Sequence, residues 1–199
     1  VRQLLTETLL LFLAACNALP VCAELPVARL SAIFPPGGRI GSTFEVTISG
    51  LDLDDVSKLH FSKPEIVAKP KLIEGSAKPE PNRFLVTIAG DAAPGICEAR
   101  ASGRFGLSNA RTFAVGDLAE ATEKGGNTSA SSPMEIAVGT TVNGRCDANT
   151  IDYFKFAAKK GERIFISCLA RELDSKMEPV LALYDGAGHE FERSRRGGL

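Results

Sequence analysis

The chain has 199 residues, with 23 lysines and arginines against 24 aspartates and glutamates and a formal net charge of -1. A protein that grips a phosphate backbone needs a basic excess to release counterions, so nucleic acid is excluded as a partner. Hydrophobic residues make up 44%; no central stretch is long enough to cross a bilayer, and two small domains fit the length better than one large one.

The first stretch, "VRQLLTETLLLFLAACNALPVCA", has Arg2 near its start, an apolar run from Leu9 to Ala15, and small residues at Val21 and Ala23 ahead of Glu24. This is the layout of a secretory signal peptide over residues 1–23, a signal helix cleaved between Ala23 and Glu24. Within it, "LAAC" at Leu13 to Cys16 resembles a bacterial lipobox, which would make Cys16 a lipidation site and the chain an envelope lipoprotein. Soluble export is the preferred expectation because "VCA" has the small-x-small form that the signal peptidase cuts. A buried N-terminal helix fits less well, since no downstream segment offers a helical face to receive it. The expected location is secreted, periplasmic or cell-surface, with the membrane a partner only through lipid at Cys16.

Of the five cysteines, Cys16 and Cys22 would leave with the signal, and Cys97, Cys146 and Cys168 would remain. An odd number in an exported chain permits at most one internal disulfide. Cys146 and Cys168, in neighbouring predicted strands, are the pair in position for it. The alternative, and the preferred expectation, is that these are buried free thiols, a common use of cysteine as a small apolar residue.

Beyond Glu24 the apolar residues recur at period two, which predicts strands rather than helices. Phe44, Val46 and Ile48 point one way and Thr43, Glu45, Thr47 and Ser49 the other; Phe84, Val86 and Ile88 repeat the pattern. "FPPGGRIGS" and "AGDAAPGI" read as turns. The proline- and lysine-rich "SKPEIVAKPKLIEGSAKPEPNRF" is confined to loop or edge strand, its charges guarding an edge. From Arg29 to Val115, "FPPGGRIGSTFEVTISGLDL" followed by "LVTIAGDAAPGICEARASGRFGLSNARTFAV" resembles the immunoglobulin-like IPT/TIG module. The resemblance implies an Ig-like β-sandwich over residues 24–116 that acts as a spacer or interaction surface and carries no catalytic residues.

"GDLAEATEKGGNTSASSP", Gly116 to Pro133, has linker composition and predicts a linker over residues 117–134. Its "NTS" at Asn127 is formally a glycosylation acceptor and is read as chance. Residues 135–199 contain "VNG", "IDYFKF", "KKGERIFIS" and "EPVLALYDGAGHE", in an order that resembles the bacterial pre-peptidase C-terminal domain. The resemblance implies a jelly-roll-like sandwich, here incomplete because its later strands are missing. "IDYFKF" and "RIFISC" would form a hairpin, with Phe154 and Phe156 in a core facing Ile164 and Ile166 or Phe165. The expected fold class is therefore all-β, two β-sandwich domains after a signal helix. Two such modules behind a signal peptide look like exported proteins of planctomycete-type bacteria.

Neither histidine, His60 or His189, belongs to a ligand-spaced pair, and no "G-x-S-x-G" elbow occurs, so neither zinc nor triad catalysis is expected. "FPPGGRIGS" lacks the Lys-Ser pair of a phosphate loop and opens a strand. "DLDD" at 52–55 and "DANTID" at 147–152 lack EF-hand spacing. Some pre-peptidase domains bind calcium near their opening segment, which here would involve Glu120, Glu123, Asn127 and Asp152. Ordinary Asx turn chemistry is the competing explanation, and no cofactor is expected. The function expected is non-catalytic: an extracellular binding, spacing or adhesion region of a larger secreted bacterial protein, its ligand a protein or polysaccharide. The rival is an accessory secretion or substrate-docking region of a secreted protease.

Overall fold

The computed structural model describes residues 25–147 and 149–194. The expected signal peptide 1–23, its cleavage point at Ala23 and Glu24, and the lipidation candidate Cys16 lie outside the described residues. In chain order the strands of the first region are β1 (Arg29–Phe34), β2 (Gly37–Arg39), β3 (Thr43–Leu51), β4 (Lys58–Phe61), β5 (Ile66–Leu72), β6 (Pro79–Ile88), β7 (Gly95–Gly103), β8 (Gly106–Leu107) and β9 (Arg111–Gly116). Those of the second are β10 (Ala119–Thr122), β11 (Met134–Glu135), β12 (Thr140–Asn143), β13 (Phe154–Lys155), β14 (Leu181–Tyr184) and β15 (Glu190–Ser194), with a 3-10 turn at Arg171–Leu173 before β14. The chain is all-β in character.

Two sheets make the first region, one in the order β1-β3-β6-β5 and the other in the order β2-β9-β7-β4, with β8 folded back on β7. Their inner faces share one core because each strand turns alternate residues inward. Val46 and Ile48 on β3, and Phe84, Val86 and Ile88 on β6, meet Cys97, Ala99 and Ala101 on β7 and Phe113 and Val115 on β9. Phe113 is the hub: its ring lies edge-on to Phe61 at 5.0 Å and parallel to Phe44 at 6.4 Å. Small side chains on β7 leave it room. The outward residues of the first sheet are joined by ion pairs, Glu45 and Glu80 each meeting both Lys71 and Arg83. These pairs are half-exposed, so solvent screens them and they add little to stability.

"FPPGG" does more than turn. The chain leaves the first sheet at Phe34, passes a cis Phe34–Pro35 bond, and enters the second sheet as β2, parallel to β9. Gly37 and Gly38 are needed here for close approach: a Cβ on Gly38 would sit 2.1 Å from the Phe44 ring, and one on Gly37 would sit 2.6 Å from the Ala114 carbonyl oxygen. The turn glycine of the segment is Gly41, at φ 72°. The proline-rich stretch supplies β5, which is an edge strand, and the start of β6.

The second region departs from expectation in three ways. Residues 117–134, read as a linker, contain β10, which runs parallel to β12, and a buried Asn127. The predicted hairpin is replaced by a two-residue strand, β13, paired parallel with β11, while residues 162–168 form no strand beyond an isolated bridge at Ser167. The expected aromatic core is not assembled: Phe165 is 82% exposed and Phe154 40%, and past Val115 the one buried hydrophobic among the described residues is Ala170. Period-two patterning places side chains on a face but cannot supply the facing sheet that would bury them. "EPVLALYDGAGHE" supplies β14, and a turn at Asp185-Gly186 closes it into a hairpin with β15.

Candidate functional site

The carboxylates and amides singled out from the sequence fall into two groups. Glu120 on β10 accepts a bond from Asn143 Nδ2 on β12 at 2.5 Å. Solvent still reaches Glu120, yet the protein packed around its carboxyl holds its pKa above the ordinary value, the Asn143 bond working the other way. Separately, Asn127 donates through Nδ2 to Glu123 Oε1 at 2.7 Å and to the Tyr153 carbonyl at 3.3 Å, while the Tyr153 amide donates back to the Asn127 carbonyl at 2.7 Å. Glu123 Oε2 accepts the Arg145 amide at 3.2 Å. Asp152 lies close enough for the Glu123 charge to act on it. Burial first, then that charge, raise its carboxyl pKa, and a bond from Cys146 opposes them.

The structure thus brings Glu123, Asn127 and Asp152 together and leaves Glu120 apart with Asn143. Both asparagines present nitrogen to a carboxylate, the arrangement of a strut between segments and not of an oxygen cage around a hard cation. Among the described residues no group of three or more His, Cys, Asp or Glu side chains is placed to hold a metal ion. Asn127, 3% exposed with its side chain engaged, is no open acceptor for a sugar.

The cysteines divide by environment. Cys97 is buried, Cys168 half-buried and Cys146 exposed, all as free thiols. The buried-thiol expectation therefore fails for Cys146, which sits in a turn with its sulfur near the Asp147 and Thr150 carbonyls. Burial pushes the Cys97 and Cys168 thiols up.

His189 bonds through Nδ1 to Asp185 Oδ2 at 3.0 Å within the β14–β15 turn, and that turn holds the Asp185 carboxyl below its ordinary value, chiefly through the His189 amide. His60 Nε2 meets Ser102 Oγ at 2.8 Å across the β4–β7 pair. No local spacing announced that serine–histidine contact, because strand register sets it. Among the described residues no carboxylate bonds the other ring nitrogen, and the pair lies on an exposed sheet face.

An open groove of about 480 Å³ lies between edge strands β4 and β5. Lys58, Lys63 and Lys69 line it together with His60, and no carboxylate does. None of these three lysines has an ion-pair partner among the described residues, in contrast to neighbouring Lys71, which is paired with Glu45 and Glu80. Sequence reading took this lysine-rich stretch as edge protection and missed the groove, which needs the two sheets' edges brought side by side. The chain matches no family model, no curated protein and no solved structure.

Proposed function

We propose that the chain is an exported, non-catalytic β-module of a bacterium, used for extracellular binding, spacing or adhesion. The observation that carries this reading is a division of labour among the polar groups. Acids, amides and a histidine of the second region bond to one another or to their own turns, whereas Lys58, Lys63 and Lys69 of the β4–β5 groove have no carboxylate partner among the described residues, Lys63 bonding only the Ala93 carbonyl. Groups committed to struts are poor candidates for proton transfer, and cations without a carboxylate partner on a strand edge suit recognition. The finer fold we carry with this proposal is an IPT/TIG-type Ig-like sandwich over residues 24–116, followed by a region resembling the pre-peptidase C-terminal domain over residues 135–199. What supports it is the order of motifs in the sequence and, for residues 24–116 alone, the two-sheet core of the first region.

The test has two arms. Expressed in an exporting bacterium, the mature chain should begin at Glu24, or at a lipid-bearing Cys16 in the lipoprotein form; an unprocessed cytoplasmic chain overturns export. Purified chain should turn over no chromogenic peptide, ester, glycoside or phosphate substrate. Turnover that co-purifies with the folded chain and disappears on unfolding overturns the non-catalytic reading.

A further inference from the structure

Sheets expose unpaired backbone at their edges, and most edges of the first region are blunted. β1 carries a register shift between Leu30 and Ala32. β2 is only 3 residues long. β5 contains Pro70, which has no amide hydrogen to donate, and a register shift between Pro70 and Leu72. Such interruptions are the usual protection against a second chain adding to the sheet. β4, 4 residues long, has no proline and its four pairs with β7 run without a shift, and among the described residues no strand pairs with its other side. The Ser62 amide donates to the Glu98 carbonyl of β7 at 2.8 Å. Successive amides in a strand alternate sides, so those of Phe61 and Leu59 point away from β7 and into the groove.

The side chains along this edge also alternate. Leu59 and Phe61 turn toward the core, Lys58 and His60 outward. Across the groove Lys69 is exposed on β5, and Lys63 at the corner reaches the Ala93 carbonyl at 2.6 Å. A strand laid against β4 would set residues two apart beside Lys58 and His60, with the residue between them facing inward beside Leu59. Charge complementarity asks for carboxylates at the first positions and an apolar side chain at the second.

We propose that the β4 edge is a docking site for an extended acidic segment of another protein, in which carboxylates alternate with apolar residues and which adds a strand beside β4. This rests on the reading of the chain as a binding module and names the partner's chemistry. A peptide fits better than an acidic polysaccharide. The edge offers amides at the period of a polypeptide, and its aromatic residue, Phe61, is turned inward against Phe113 and gives a sugar ring no platform.

The test uses the full chain, isotope-labelled for amide NMR, and a blocked nine-residue peptide alternating glutamate and valine, with its glutamine counterpart as control. The glutamate peptide should shift the Leu59 and Phe61 amides and slow their hydrogen exchange, and binding should weaken as salt rises. The double variant Lys58→Glu, Lys69→Glu should weaken it by about tenfold or more with an unchanged thermal melt. Equal binding of the glutamine peptide, shifts confined to other strands, or an absence of binding would each overturn the proposal. Binding of polygalacturonate as tight as the peptide's, without exchange protection at β4, would also overturn it in favour of a polysaccharide. Failure here leaves the export and non-catalytic reading standing, since mature-terminus and turnover measurements decide that independently.

Discussion

The carboxylate of Asp174 accepts the Thr112 amide at 2.7 Å, at a point on β9 where the neighbouring strand has run out. Two residues on, the Ala114 amide faces the same side and donates to the Pro36 carbonyl. Asp174 therefore continues the ladder that β2 begins. Arg111 tightens the contact by donating to the Asp174 carbonyl at 3.2 Å. In this way the 3-10 turn of the second region is fastened to the second sheet of the first.

Asp174 sits at φ 59°, in the left-handed region, so substitutions there separate the bond from the backbone. Asp174→Asn keeps an acceptor and tolerates that conformation, and should cost less than about 1 kcal/mol. Asp174→Ala loses the acceptor and adds left-handed strain, for a cost of about 2–4 kcal/mol. Chemical denaturation gives the ranking, and exchange at the Thr112 amide should speed up in the alanine variant alone. Equal costs would show that the carboxylate does not hold this edge.

Gly38 tests the crossing between sheets. An alanine methyl there overlaps the Phe44 ring, and the packing of Phe44 on Phe113 limits how far the ring retreats. Gly38→Ala should destabilise by about 1–3 kcal/mol. The combination with Phe44→Leu should cost less than the sum of the two single changes, measured as a double-mutant cycle. Strict additivity would disprove the clash.

The raised carboxyl pKa of Glu120 makes stability depend on pH with a definite sign. The folded state holds that proton more tightly than the unfolded state, so stability falls as pH rises from the ordinary glutamate value through the raised folded value. Above that window the ionised carboxylate is a constant cost. Glu120→Gln still accepts from Asn143 and should flatten this slope and stabilise the chain slightly at neutral pH. Melting midpoints across the weakly acid range read it out. An unchanged slope in the variant would remove Glu120 as the cause.

Thiol accessibility should follow the three environments. A maleimide reagent at neutral pH should label Cys146 first and Cys168 more slowly, and should reach Cys97, 5% exposed, only after unfolding. Peptide mass spectrometry assigns the sites. Fast labelling of Cys97 in the folded chain would contradict the shared core.

How much was legible in advance varied with the range of the interaction. The alternation of Phe44, Val46 and Ile48, and of Phe84, Val86 and Ile88, determined the all-β class and the inward faces of β3 and β6, because the period of a strand is a local property of the backbone. Prolines confined the stretch of β5 to loop or edge strand for an equally local reason, the missing amide hydrogen, and the sheet order made it an edge. The strand within "EPVLALYDGAGHE" was part of the resemblance; its pairing with β15 across the Asp185-Gly186 turn is a result of the structure.

Tertiary structure alone decided the rest. Gly37 and Gly38 read as turn residues until the chain crossed to the second sheet and brought Ala114 and Phe44 against them. Asn127 and β10 looked like linker because their partners, Tyr153 and β12, lie outside the segment. The aromatics of "IDYFKF" and "RIFISC" have the period of a buried strand, but burial needs a facing sheet that no local pattern supplies. The β4–β5 groove likewise exists only where edges of two different sheets meet, and its lysines, without carboxylate partners among the described residues, differ from Lys71 by neighbours that strand register chose. Local sequence sets which way a side chain points; what it meets there depends on pairings between distant segments, whose free energy belongs to the assembled sheets.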